Sequence, residues 1–117
     1  MAGAVAIGGV FFRSKDPETL AAWYSTHLGV ATGGAPWHQK AGPLVFAPFR
    51  ADTDYFPADR QWMVNFRVED LPALIATLQA SGLSVETRAE WDGDWGLFAR
   101  IHDPEGNPVE LWQAPAA

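Results

Sequence analysis

Near the C-terminus, Phe98, Arg100, His102, Glu110 and Trp112 alternate with apolar neighbours. In a strand every second side chain shares a face, so this pattern predicts two half-buried strands. Between them, Asp103-Pro104-Glu105-Gly106-Asn107 suits a three-residue hairpin loop, with Pro104 setting φ at the second turn position and Gly106 supplying a left-handed residue. Asp103 then pairs with Asn107, so that Ile101 faces Val109, Ala99 faces Leu111, Arg100 faces Glu110 and Phe98 faces Trp112. One face, Ala99, Ile101, Val109 and Leu111, is apolar and belongs under a helix. The other sets a carboxylate beside a guanidinium between aromatic rings. Such a pair is a cross-strand ion pair or a clamp that orients a polar ligand, and the Glu110 carboxylate is also the candidate general base.

Further side chains point to the same face. Val10 and Phe12 match Val64 and Phe66 as helix-facing positions, which leaves Phe11, Met63 and Asn65 on the side of Arg100. Phe11, Met63, Phe98 and Trp112 read as plain core one by one and as an apolar cavity lining together. An inward amide at Asn65 needs partners, which a ligand can supply. His38, beside Trp37, is the remaining ligand-binding candidate; structurally it is an ordinary strand histidine. Trp91-Asp92-Gly93-Asp94-Trp95-Gly96 reads as a hairpin turn, a lid or a dimer contact. Tyr24 belongs to a helix seam.

The elements that position these residues follow from an internal repeat. Phe12-Arg13-Ser14-Lys15-Asp16 with Leu20 aligns with Phe66-Arg67-Val68-Glu69-Asp70 with Leu74, at a constant offset of 54 positions. Each copy reads as a βαβββ module. Asp16 caps a helix over 17–28 with Pro17 at its first position, and Asp70 caps a second over 71–81 that stops at Gly82. Strands are expected near 4–13, 30–37, 42–49, 62–68, 83–90, 95–102 and 107–113. Residues 50–61 read as a connection, giving modules of about 4–56 and 62–113 within one domain over 1–117.

Composition narrows the function classes. At 117 residues with 48% hydrophobic content, the chain suits one domain with a real core. Eight Lys and Arg against 14 Asp and Glu leave a net charge of −6, which argues against a nucleic-acid partner because phosphate neutralisation requires a basic face. No apolar run approaches the roughly 20 residues of a membrane span, and the start lacks the basic segment of a secretory signal, so a cytoplasmic protein without a membrane partner is expected. Zero cysteines remove disulfides, thiolate metal sites and a cysteine nucleophile.

Gly8-Gly9-Val10-Phe11-Phe12-Arg13, Ala22-Trp23-Tyr24 with His27-Leu28-Gly29, Asn65-Phe66-Arg67-Val68-Glu69-Asp70 and the terminal Asp103-Pro104-Glu105-Gly106-Asn107-Pro108-Val109-Glu110 together resemble the vicinal oxygen chelate superfamily, which includes glyoxalases, bleomycin resistance proteins and extradiol dioxygenases. The resemblance implies an α+β fold of tandem βαβββ modules, forming a curled mixed sheet around a cavity with two outer helices. It also implies a homodimer and, in enzymes of the group, a divalent metal held by first-strand and last-strand ligands. Carried onto this chain, the first-strand positions fall on Gly9 and Met63, and the last-strand position of the second module on Glu110. No Glu lies between Glu18 and Glu69 to complete the first module. Glycine offers no donor and a thioether suits a hard cation poorly, so no metal or other cofactor is expected. A displaced divalent site of His38, His102 and Asp52 with Glu110 is the competing reading. The resulting expectation is a small-molecule binding protein for a partly aromatic or amphipathic ligand. The alternatives are a glyoxalase-like lyase or isomerase, or a dioxygenase-type enzyme, using a displaced metal or Glu110 as base, and an interaction module with exposed tryptophans.

Overall fold

The computed structural model describes residues 2–116. Its two long helices begin where a side chain can satisfy free amides. The Asp16 carboxylate accepts from Thr19 N at 3.2 Å and Thr19 Oγ1 at 2.7 Å, and α1 runs over Pro17–Leu28 before closing on Gly29. The Asp70 carboxylate accepts from Ala73 N at 3.1 Å and starts α2, Leu71–Ala80. The helix starts thus keep the offset of the repeat.

The second half forms a mixed three-stranded sheet from β1 (Val64–Arg67), β2 (Leu97–His102) and β3 (Pro108–Gln113), in the order β1-β3-β2. β1 runs parallel to β3, and β2 pairs antiparallel with it. The hairpin register is the expected one at every pair, including Arg100 with Glu110 and Phe98 with Trp112. Asp103 N donates to the Asn107 carbonyl at 3.0 Å, and Gly106 takes the left-handed conformation, φ 82°. Gly96, ahead of β2, has φ 117°; a Cβ there would lie 2.1 Å from the Gln113 carbonyl oxygen, so the turn requires glycine.

Ala99, Ile101, Val109 and Leu111 are almost completely buried and form one cluster with Leu71 and Leu78 of α2 and with Leu20 and Tyr24 of α1. The α+β class and the two helices are as expected, and the sheet is not closed into a barrel. The first half differs from expectation. Segments 4–13, 30–37 and 42–49 form no strand among the described residues, and residues 83–90 contribute only a bridge between Glu86 and Arg100 and a short 3-10 turn, Ala89–Trp91. Alternation supplies a strand with a face, but its stability comes from a neighbouring strand, and although β1 is an edge strand these segments do not pair with it. Beside β1, the Arg67 guanidinium instead donates to the carbonyls of Lys40 at 2.7 Å and Ala41 at 3.5 Å, so a side chain stands where a ladder would run. Val5, Phe11, Val45 and Phe46 are left largely exposed.

Candidate ligand-binding face

The sheet face opposite the apolar cluster carries Asn65, Phe98, Arg100, Glu110 and Trp112. Parallel pairing puts Asn65 level with Glu110, and its Nδ2 donates to Glu110 Oε1 at 2.7 Å. Phe98 stacks on Trp112 with ring centroids 6.1 Å apart and planes 6° apart, while Trp112 Nε1 donates to the Trp95 carbonyl at 2.7 Å. Met63 is half-buried just ahead of β1.

Arg100 and Glu110 are both buried, yet no direct ion pair joins them among the described residues. Of the two readings of this pair, the direct cross-strand ion pair is not formed: Tyr55 is bonded to both charged groups. Its hydroxyl donates to Glu110 Oε2, its carbonyl accepts from Arg100 Nη2 at 2.9 Å, and its ring lies 5.0 Å from the guanidinium carbon. Trp91 covers the guanidinium from another side at 5.5 Å and meets the Tyr55 ring at 6.1 Å. Phe49 extends the aromatic wall, 5.6 Å from Tyr55. Burial, followed by the bond to the Glu110 carboxylate, pushes the Tyr55 hydroxyl up to about 12. The arrangement holds a buried cation under aromatic planes, where the ring quadrupole and a carbonyl dipole replace water.

The remaining sequence candidates lie apart. Phe11 is 95% exposed and His38 is exposed; neither makes an aromatic or hydrogen-bonding contact with the Arg100–Glu110 group, because the segments carrying them pair with no strand. His102 is exposed beside the hairpin loop, and His38, Asp52 and His102 do not gather with Glu110. Tyr55 was missed, since residues 50–61 read as a connection. Two adjacent aromatic residues, Tyr55 and Phe56, within an otherwise polar link were the available signal. Trp91, in the segment read as a hairpin turn, a lid or a dimer contact, has its ring 5.5 Å from the Arg100 guanidinium carbon.

The donor set does not fit a divalent cation. Gly9 has no side chain, Met63 offers a thioether, both oxygens of Glu110 already accept hydrogen bonds, and a guanidinium lies one strand away.

A family profile described as a glyoxalase-like domain matches residues 9–112. The chain belongs to the glyoxalase-like family. Among solved structures, this glyoxalase-like chain is similar to TnmS3, an antibiotic-binding protein from Streptomyces sp. CB03234, with 26% identity and a TM-score of 0.59 over 97% of this chain and 100% of that one. No curated protein matches it. No helix among the described residues is long and apolar enough to cross a membrane.

Proposed function

We propose that this protein binds a small, partly aromatic or amphipathic molecule on the Phe98–Arg100–Glu110–Trp112 face, without a divalent metal. One observation carries the reading: a buried guanidinium sits among aromatic rings, next to a carboxylate whose two oxygens are occupied by Asn65 and Tyr55. Such a surface recognises flat rings with polar edges. The likeness to an antibiotic-binding protein over nearly the full length of both chains supports small-molecule binding. For Glu110 to act as a base, Tyr55 or Asn65 would first have to release it, which favours binding over turnover.

The test is titration with a panel of aromatic antibiotics, read by tryptophan fluorescence and melting temperature. Saturable quenching and a raised melting temperature are expected, since a ligand at a hundred times its Kd adds about 2.7 kcal/mol of stability. A flat response to every compound up to its solubility overturns the proposal. Metal content after dialysis against zinc, nickel, manganese and iron(II) is expected to stay far below one per chain. A stoichiometric metal lost in Glu110→Ala would overturn the metal-free part.

The proposal includes a homodimer. Large apolar side chains of the first half, among them Phe11, Val45 and Phe46, stand in solvent in the single chain, and a second copy can cover them. Sedimentation at micromolar concentration that returns a 12.8 kDa species overturns this part.

A further inference from the structure

Tyr55 makes the contacts that a ligand of this face would make. Its phenol ring packs over the Arg100 guanidinium and against Trp91, its hydroxyl donates to Glu110, and its carbonyl accepts from Arg100. Those contacts leave the cation only partly satisfied. Arg100 is 5% exposed, no carboxylate pairs with it among the described residues, and its Nε is buried without a partner. A guanidinium carries five N–H donors in a planar fork, and the single carbonyl of Tyr55 occupies one of its nitrogens. A carboxylate would accept from two nitrogens at once and would also supply the missing countercharge.

The segment that carries Tyr55 is held to the sheet by little else. Its backbone hydrogen bonds are local, Thr53 N to the Arg50 carbonyl and Arg60 N to the Pro57 carbonyl. Its other polar tie to the hairpin is Arg60 Nη2 on the Glu105 carbonyl at 2.9 Å. Residues 50–54 bear an exposed Arg50–Asp52 pair and no ladder bonds. Displacing Tyr55 therefore breaks mainly the bonds that an incoming molecule would remake.

We infer that Tyr55 is a built-in occupant of the site, and that the ligand replacing it is a hydroxylated aromatic acid, its hydroxyl directed to Glu110 and its carboxylate to Arg100. The inference rests on the binding reading above and names the chemistry of that ligand. Binding then competes with an internal group, so the apparent affinity is reduced by the fraction of time Tyr55 is seated.

Calorimetric titration with three probes tests this: para-hydroxycinnamate, cinnamate, which lacks the hydroxyl, and para-cresol, which lacks the carboxylate. On the unaltered protein para-hydroxycinnamate is expected to bind about tenfold more tightly than either of the others, one hydrogen-bonding group being missing in each case. Tyr55→Ala removes the competitor and is expected to tighten para-hydroxycinnamate about tenfold. Tyr55→Phe keeps the ring packing and fold while freeing Glu110, and a smaller gain of about threefold is expected. Glu110→Gln is expected to narrow the preference for para-hydroxycinnamate over cinnamate, and Arg100→Gln the preference over para-cresol. Unchanged or weaker binding in both Tyr55 variants, or equal binding of the three probes, overturns the exchange even where aromatic antibiotics still saturate the protein. Absence of binding by every probe and every antibiotic overturns this inference together with the reading beneath it.

Discussion

The Tyr24 hydroxyl donates to Oδ2 of Asp103 at 2.7 Å, joining the middle of α1 to the hairpin loop across 79 positions of the chain. Asp103 is buried and also accepts from Glu105 N, Asn107 N and Asn107 Nδ2, so one carboxylate shapes its own turn and anchors a helix. Asp103→Ala strands those donors together and is expected to cost about 3 kcal/mol or more, whereas Tyr24→Phe removes one donor and is expected to cost about 1 kcal/mol. Urea midpoints of the two variants check the ranking, and equal losses would show that the loop does not depend on the carboxylate.

The chain has two tyrosines, and each donates its hydroxyl to a carboxylate. Burial, with the Asp103 bond next, holds the Tyr24 hydroxyl far above the ordinary tyrosine range, and Tyr55 is raised to about 12. A spectrophotometric titration of the native protein is therefore expected to show no tyrosinate near the ordinary value of 10.0. The sign for stability follows from the protons held. Between 10 and 12 the folded chain keeps phenolic protons that the unfolded chain releases, so stability is full below the unfolded pKa and declines as pH rises through this window. Tyr55→Phe is expected to make that alkaline decline shallower, and an unchanged slope would argue against the Tyr55–Glu110 bond.

Leu111 and Ile101 have no exposed surface in the cluster beneath the helices. Leu111→Ala leaves a cavity and is expected to cost about 2–5 kcal/mol, against about 0.5–1.5 kcal/mol for Ile101→Val. Thermal or denaturant unfolding measures both, and a Leu111→Ala loss below that of Ile101→Val would mean that the cluster is not the core.

Glu105 draws in the chain ahead of α1, accepting from Ser14 Oγ at 2.7 Å, Lys15 N at 2.9 Å and Asp16 N at 3.3 Å. These bonds, that of Ser14 foremost, hold its carboxyl below the usual 4.5. The folded chain then binds fewer protons than the unfolded chain in that range, so the contribution is present above the unfolded value and is lost as pH falls through the folded one. Glu105→Gln is expected to flatten the acid limb of the stability profile while leaving neutral behaviour nearly unchanged. A limb of the same steepness would remove Glu105 from this role.

Local chemistry was legible in the sequence. The caps at Asp16 and Asp70, the left-handed Gly106 and the pairing of the last hairpin depend on residues a few positions apart, and the structure places them as their chemistry requires. Non-local partners were not legible. Phe11 and Val45 have strand-like patterns, but a pattern does not state which edge will receive it, and none does so here. The same blindness hid Tyr55, which meets Arg100 and Glu110 across 45 and 55 positions. Arg100 and Glu110 were correctly placed opposite each other, yet the tyrosine bonded to both came from a stretch whose composition suggested only a link.

The clasp of Tyr24 on Asp103 also sets an order of events during synthesis. The sheet and α2 come from the contiguous stretch 64–113, which contains most of its own buried contacts, while α1 is translated far earlier. Because synthesis runs from the N-terminus, at about 5–20 residues per second, Leu20, Trp23 and Tyr24 are made before the residues that will cover them. The aromatic side chains of α1 therefore stay uncovered until the hairpin that carries Asp103, Ile101 and Leu111 has been made.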